Sequence, residues 1–125
     1  SIEQDTPPPH CVRVRREDLD EMLGNLLDNA CKWARSRVSI GASAEKGQVA
    51  IVVDDDGPGL APELRERVLQ RGVRADEAAP GSGFGLAIVR DLAELHQGSV
   101  VLEASPLGGV RARLTLPSCV TAPAA

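Results

Sequence analysis

Apolar residues recur at helical spacing along one long stretch of the chain, DLDEMLGNLLDNACKWAR at positions 18–35. At about 100° per residue they fill one broad side of a helix. A second helix is predicted over 85–96, where leucine, isoleucine and valine repeat the same three- and four-residue steps. A short third helix is predicted over 62–70, because Pro62 would stand in its first turn.

Alternation of apolar and polar residues predicts the strands. We expect a short strand at 11–15, a hairpin of 38–44 and 49–54, and a second hairpin of 98–104 and 110–116. Residues 49–53 are continuously apolar, which favours a central strand buried on both faces. Hairpins segregated from helices predict an α+β fold, a two-layer α/β sandwich with the helices on one face of the sheet.

The chain divides into three parts at this level. Residues 1–10 are proline-rich and are predicted to be a linker, 11–117 form one domain, and 118–125 are expected to be a disordered tail. Residues 71–84 combine glycine, alanine, proline and charge with little apolar pattern, so they are expected to be a long loop, either functional or disordered.

Composition narrows the functional classes. Of 125 residues, 42% are apolar but only one is Trp and one Phe, with no Tyr, so the core must be aliphatic and offers no stacking platform for single-stranded nucleic acid. The net charge of −4 disfavours nucleic acid or an anionic membrane surface as the partner. Three widely spaced cysteines without a CxxC pair argue against a disulfide scaffold or a metal site and for a reducing compartment, with Cys31 small and at least half-buried. No apolar run is long enough to span a bilayer, and no signal peptide opens the chain.

One narrow side of the first helix is polar and holds Glu21, Asn25, Asn29 and Lys32 within about 80° of one another. Asparagine is a mediocre helix former, so two of them one turn apart call for a reason. An amide oxygen can ligate Mg²⁺ without adding charge, and a lysine one turn on can meet a phosphate. The alternative is a solvated face that happens to contain two asparagines, and the helix alone does not decide between them.

Two glycine-containing stretches carry further candidate chemistry. Asp55-Asp56-Gly57-Pro58-Gly59 follows the buried strand, where a carboxylate could accept hydrogen bonds from an adenine amino group; an ordinary Asp-Gly turn is the alternative. Gly81-Ser82-Gly83-Phe84-Gly85 leads into the second helix, whose N-terminal amides could bind an anion. That stretch is neither a dinucleotide fingerprint nor a P-loop and could equally be a flexible connector.

Taken in order, these stretches resemble the ATP-binding domain of sensor histidine kinases over nearly the whole chain, from about Val12 to Leu116. Asn25 to Lys32 is similar to the N box of that family and Asp55 to Gly59 to its G1 box. Leu69 to Arg74 is similar to a weakened F box and Gly81 to Val89 to the G2 box. GNLLDNACK and VVDDDGPG are similar to the PhoQ type.

The resemblance implies the Bergerat fold, with a mixed, mainly antiparallel sheet, and a domain that binds ATP with Mg²⁺. It also implies transfer of the γ-phosphoryl group to a histidine on a separate dimerisation domain of the same parent, for relay to a cognate response regulator. The parent would be a homodimer anchored in the bacterial inner membrane, with this domain in the cytoplasm.

The same resemblance implies roles for residues. Asn29 would ligate Mg²⁺, Asn25 would assist near the phosphates and Lys32 would contact them. Asp55 would take the adenine amino group. Residues 71–84 would be a lid, with Arg71 or Arg74 near the phosphates. Glycines would act as the hinge of this lid, and the backbone amides that follow them would bind the phosphates. The remaining members of the implied nucleotide site are Trp33, Gly57, Gly59, Leu60, Gly81, Gly83, Phe84, Gly85 and Leu86.

The chain departs from the family pattern at several positions. Trp33 stands where Tyr or Phe is usual, and Leu69 and Gly72 stand where phenylalanines are usual. The two histidines, His10 and His96, lack the context of a phosphate acceptor and are expected to be structural, so the acceptor is expected to lie outside this sequence.

Glu21 is a candidate catalytic group, although a solvated helix glutamate is the simpler interpretation. One alternative function is a switch ATPase like gyrase, Hsp90 or MutL. Those proteins carry a glutamate one turn before the metal-binding asparagine, where this chain has Asn25. The other alternative is a non-catalytic nucleotide-sensing module.

Overall fold

The computed structural model describes residues 2–5, 11–70 and 85–119. Within these ranges the chain forms three helices and five strands. The helices are α1 (Arg16–Trp33), α2 (Pro62–Val68) and α3 (Gly85–Leu95). The strands are β1 (Ile2–Asp5), β2 (Val38–Glu45), β3 (Gln48–Asp55), β4 (Ser99–Ala104) and β5 (Val110–Pro117). None of the helices in this part of the chain combines the length and apolar character needed to cross a bilayer.

The strands form one mixed sheet in the order β1-β2-β3-β5-β4. β1 runs parallel to β2, and every other neighbouring pair is antiparallel, which confirms the predicted mixed, mainly antiparallel sheet. The β2–β3 hairpin turns through Lys46 and Gly47, both with positive φ, as the primed two-residue turns of hairpins require. Its register places Val38 opposite Asp55, so the acidic end of β3 lies beside the start of β2.

The core lies between the helices and one face of the sheet, as the two-layer prediction requires. Met22 and Leu26 of α1 are almost completely buried. Alternate residues of β3 and β5 face them across the layer, and the inward residues are Val49, Ile51, Val53, Ala112, Leu114 and Leu116. On the other face of β3, Ala50 and Asp54 are also buried, which confirms the central strand.

The N-terminal predictions are partly wrong. Residues 2–5 were assigned to a linker but form β1 on the open edge of β2, because an edge strand offers unpaired backbone groups to any extended segment beside it. Residues 6–10 lie outside the described part of the chain, as do the predicted loop 71–84 and residues 120–125 of the predicted tail. The strand predicted at 11–15 reduces to a single bridge between Val12 and Ser118.

The first helix also starts and ends earlier than predicted. It begins at Arg16 without a side-chain cap and ends at Trp33, where Ala34 turns to extended backbone. Asp18 lies in the first turn of α1, and its Oδ2 is 2.7 Å from Nε2 of His96 at the end of α3. This pair joins the first turn of α1 to the residue after α3. His96 therefore has a structural role, as predicted. It contacts the carboxylate of Asp18 in addition to lying at the end of a helix.

The cysteine predictions are wrong on two points, the disulfide and the burial of Cys31. Cys11 and Cys119, separated by 108 positions in sequence, form a disulfide with a Cα–Cα distance of 5.2 Å. The backbone brings them together, since the Cys119 amide donates to the Cys11 carbonyl and the Arg13 amide to the Pro117 carbonyl. Sequence spacing does not reveal such a pair, because its neighbours meet only after the sheet has formed. Cys31 is a free, exposed thiol rather than a buried one, since it lies off the apolar side of α1.

We predict that reduction of the disulfide destabilises the domain. A cross-link that closes a loop of this length restricts the unfolded chain, and its removal should lower the free energy of unfolding by about 2–4 kcal/mol. The measurement is urea unfolding of the wild type with and without a thiol reductant, and of Cys119→Ser. Cys31→Ser is the control and should unfold like the wild type. Equal midpoints for oxidised and reduced wild type would contradict the prediction.

Candidate functional site

Three consecutive carboxylates, Asp54 to Asp56, lie at the end of β3 and directly after it, and two of them connect neighbouring elements of the fold. Asp54 forms a two-pronged ion pair with Arg111, its partner on β5, at 2.8 Å from Nε to Oδ1 and 3.0 Å from Nη2 to Oδ2. The hydrogen bonds to Asp54 raise the pKa of Arg111. Asp56 accepts the backbone amides of Ser36 and Arg35 at 3.0 and 2.8 Å and the Ser36 hydroxyl at 2.8 Å. These contacts tie the segment after α1 to the end of β3.

The third carboxylate, Asp55, is buried at 3% exposure and is only half satisfied. Its Oδ1 accepts the backbone amide of Gly57 at 2.9 Å and that of Val110 at 3.2 Å. Among the described residues, no hydrogen bond reaches Oδ2. A buried carboxylate oxygen without a donor is costly, so such an atom indicates a ligand or water that supplies one. The arrangement fits a ligand that carries an amino group.

Glycines let the loop after Asp55 pack tightly against its surroundings. A Cβ on Gly57 would overlap the carbonyl oxygen of Trp33 at the end of α1. Gly59 has a φ of +82°, a conformation that other residues rarely adopt, and lies against the backbone of Gly108 and Gly109. The loop is therefore clamped between the end of α1 and the β4–β5 turn.

The polar side of α1 is partly organised by its own side chains. The Asn25 amide donates to Oε2 of Glu21 at 3.3 Å, one turn earlier. Asn29 is half-buried, and Lys32 is exposed with its ammonium 5.4 Å from the centre of the Trp33 ring. Because the carboxylate of Glu21 can only accept, the amide nitrogen of Asn25 faces it and Oδ1 points elsewhere.

The start of α3 lies beside the amide oxygen of Asn25. A Cβ on Gly85 would lie 3.5 Å from Oδ1 of Asn25, so the first residue of α3 faces α1 directly. The N–H groups of a first helical turn have no partner within the helix and favour an anion. Asn25 meets α3 and Trp33 meets Gly57, and these two points are eight residues, or about 12 Å, apart along α1. This is the length scale of a nucleoside triphosphate.

Other predicted site residues divide into core residues and residues that the structure does not describe. Leu60 and Leu86 are partly buried and pack against the hydrophobic core. Leu69, which departs from the family pattern, is 3% exposed and belongs to that core. The predicted residues that lie outside the described part of the chain are Arg71, Arg74, Gly81, Gly83 and Phe84.

Sequence reasoning missed the contribution of the β4–β5 turn. The amides of Gly109 and Val110 both donate to Asp55, one to its carbonyl oxygen at 3.1 Å and the other to its side chain. In the sequence, the pair Gly108-Gly109 indicates only a hairpin turn. The signal that could have located it is the expected neighbourhood of β3 and β5, which places this turn at the acidic end of β3.

Comparison with known proteins identifies the family and several relatives of this chain. Residues 14–119 match the family model of histidine kinase-, DNA gyrase B- and HSP90-like ATPases. The sensor protein kinase CarS of Pseudomonas aeruginosa is 54% identical over 89% of the chain, and the two-component sensor PhoQ of the same species is 43% identical over 91%. The predicted likeness to PhoQ is confirmed, with CarS more similar still. The chain spans about a quarter of the length of each of these relatives.

A solved structure shows the same fold. Full-length ShkA, crystallised with AMPPNP, superposes with a TM-score of 0.81 at 31% identity, covering 98% of this chain and 27% of ShkA. The chain therefore belongs to the histidine kinase-, DNA gyrase B- and HSP90-like ATPase family, as the ATP-binding catalytic domain of a sensor histidine kinase.

We predict that the Asp56 contacts stabilise the domain in a pH-dependent way. The amides and hydroxyl of Ser36, with the amides of Arg37 and Arg35, hold the pKa of Asp56 well below its usual range. A carboxyl group whose pKa is lower in the folded than in the unfolded state stabilises the fold above its unfolded pKa and loses that contribution as the pH falls. Asp56→Asn should therefore lower the urea midpoint at pH 7, and the difference from wild type should shrink below about pH 4.

The control for this measurement is Asp20→Asn, which changes an exposed carboxylate on α1. It should leave the midpoint within experimental error at both pH values. If the urea midpoint of Asp56→Asn lies below that of the wild type by the same amount down to pH 2, the charge of Asp56 contributes nothing to stability.

Proposed function

We propose that this domain binds ATP with Mg²⁺ along α1, with the base at Asp55 and the phosphates between Asn25, Asn29 and the start of α3. The observation that carries the proposal is the buried Asp55 carboxylate, whose Oδ1 is held by two backbone amides while Oδ2 has no donor among the described residues. ShkA, the similar protein solved with AMPPNP, supports a nucleotide as the ligand.

At the base end, Asp55 Oδ2 would accept a hydrogen bond from the exocyclic amino group of adenine. Guanine carries a carbonyl oxygen at that ring position, which would face a carboxylate oxygen with no proton between them. A buried polar group that is left unpaired in this way discriminates strongly between ligands. Gly57 and Gly59 keep the loop backbone close to Trp33 and to the β4–β5 turn, and neither would place a side chain between the carboxylate and the base.

At the phosphate end, the described residues fit a magnesium ion that is held mainly by the nucleotide. No group of three or more His, Cys, Asp or Glu in the described ranges could hold a metal ion. Mg²⁺ usually keeps several waters and binds one or two protein oxygens together with phosphate oxygens. The amide oxygen of Asn29 would supply such a ligand, and the ion would neutralise charge on the phosphates. Lys32 and the amides from Gly85 onward would contact the phosphates directly.

We further propose that the γ-phosphoryl group passes to a histidine on a separate dimerisation domain of the parent protein, and from there to a response regulator. The names of CarS, a sensor protein kinase, and PhoQ, a two-component sensor, support this. Phosphoryl transfer requires mainly positioning and charge neutralisation, which are the contributions the described residues could make. The parent would be a homodimer in the bacterial inner membrane, with this domain in the cytoplasm. Arg71 or Arg74 would approach the phosphates.

The side chain one turn before Asn29 favours a kinase over a switch ATPase. That position holds Asn25, a neutral amide that cannot take a proton from water. Glu21 lies a further turn away and accepts a hydrogen bond from the Asn25 amide. It therefore orients Asn25 at this end of the site. Without a base beside the phosphates, bound ATP should persist until the acceptor histidine arrives.

We predict that Asp55→Asn weakens binding of a non-hydrolysable ATP analogue. The amide replaces the acceptor Oδ2 by a donor in one orientation and removes its charge in either, so the dissociation constant should rise about 10- to 100-fold. The measurement is isothermal titration calorimetry in the presence of Mg²⁺. Asp54→Asn is the matched control: it alters the adjacent carboxylate, which faces Arg111 instead of the site. Unchanged affinity in Asp55→Asn, or an equal loss in both variants, would contradict the base assignment.

We predict that the domain transfers phosphate to histidine and does not release it to water. With labelled ATP and a histidine-bearing dimerisation domain from the parent, acid-labile label should accumulate on that domain. Asn29→Asp should abolish most of this label by placing a charge beside the phosphates. Fast release of inorganic phosphate by the domain alone, without labelled histidine, would instead support a switch ATPase.

A further inference from the structure

The turn between β4 and β5 is built rigidly and lies directly on Asp55. The Ser105 amide donates to the Gly109 carbonyl at 2.9 Å, and the Gly108 amide donates to the Ser105 carbonyl at the same distance. The Ser105 hydroxyl accepts the Leu107 amide at 3.0 Å, and Ser105 is 8% exposed. Two of these hydrogen bonds shape the turn before Gly109, and the third holds Gly109 itself, so its position is fixed.

Gly109 approaches Asp55 more closely than any other residue type could. A Cβ there would lie 2.5 Å from the Asp55 carbonyl oxygen and 2.6 Å from the Gly57 nitrogen, and it would overlap Oδ1 of Asp55 more severely still. Gly108 and Gly59 have positive φ, whereas Gly109 does not. Glycine is therefore needed at 109 for space and not for backbone conformation.

This close approach determines which oxygen of the carboxylate is available. With Gly109 against Asp55, the Val110 amide reaches Oδ1 at 3.2 Å, and the Gly57 amide reaches the same oxygen at 2.9 Å. Two donors on one side of the carboxylate fix its rotation and direct Oδ2 away from both. Gly109 itself does not touch the proposed base, and it acts through Asp55.

We infer that Gly109 is a positioning residue for base selection: its missing side chain lets the β4–β5 turn orient Asp55 so that Oδ2 discriminates an adenine amino group from a guanine carbonyl. The inference rests on the proposed function, since it assumes that Asp55 meets the base. A residue that served only to pack the hairpin would affect stability, and it would affect ATP and GTP binding to the same extent.

The test compares ATP and GTP affinities of the 125-residue chain and its variants by competition with a fluorescent ATP analogue in the presence of Mg²⁺. Gly109→Ala should weaken ATP binding roughly 10- to 100-fold and change GTP binding little, because guanine has no amino group at the position that Asp55 would contact. The control is Gly24→Ala, where the added methyl group has no atom within 4 Å apart from its chain neighbours and the backbone of its own helix. Gly24→Ala should keep both affinities. Circular dichroism checks that each variant is folded.

The possible outcomes separate the role of Gly109 from the proposed function of Asp55. If Gly109→Ala keeps the wild-type ratio of ATP to GTP affinity, or loses both equally while folded, the inference is overturned. Asp55→Asn is run alongside: if it binds ATP like the wild type, the proposed function fails, and if it alone loses the preference for ATP, only the role of Gly109 fails. If Gly109→Ala does not fold, Val110→Pro replaces it as the test. This variant removes the amide that donates to Oδ1 of Asp55. Val110 is the first residue of β5, a position where proline is tolerated. Val110→Pro should also lower the ratio of ATP to GTP affinity, and an unchanged ratio would overturn the inference.

Discussion

A buried carboxylate that accepts two backbone amides through one oxygen is the interaction around which this domain is arranged. Burying a charge is expensive unless hydrogen bonds compensate, and Asp55 receives only part of that compensation from the described residues. Both of its donors come from outside β3: the Gly57 amide from the loop that follows and the Val110 amide from the neighbouring strand. The site therefore exists only when the sheet, the loop and the β4–β5 turn are in place together.

Asp54 and Asp56 each have partners of their own, which offset the repulsion among three adjacent carboxylates. Strand alternation sends Asp54 to the opposite face of the sheet, where Arg111 neutralises it. Asp56 leaves the strand and binds the backbone after α1, which anchors the end of that helix close to the site. Two acidic side chains thus position the elements that surround the third. Gly57 and Gly109 complete the arrangement, because each allows a contact that a Cβ would prevent.

Periodicity in the sequence was sufficient for the elements that bury an apolar face. Both hairpins, α1 and α3 lie within about two residues of their predicted bounds, since the spacing of residues such as Met22 and Leu26 reports directly on burial. The errors concern pairs that are distant in sequence. β1, the Cys11–Cys119 disulfide and the contact of Asp18 with His96 all depend on which surfaces meet after folding. For the proposed site, the family resemblance singled out Asp55, but nothing in the sequence predicted that Asp54 pairs with Arg111, that Asp56 binds the backbone after α1 or that Gly109 lies against Asp55.

The most direct measurement is a crystal structure of the chain with Mg²⁺ and a non-hydrolysable ATP analogue. The adenine amino nitrogen should lie within hydrogen-bonding distance of Asp55 Oδ2, with the triphosphate running along α1 and the ion bound to the Asn29 amide oxygen. Nucleotide bound elsewhere, or an Asp55 whose two oxygens are both occupied by protein donors while the base lies apart from it, would contradict the arrangement proposed for this domain.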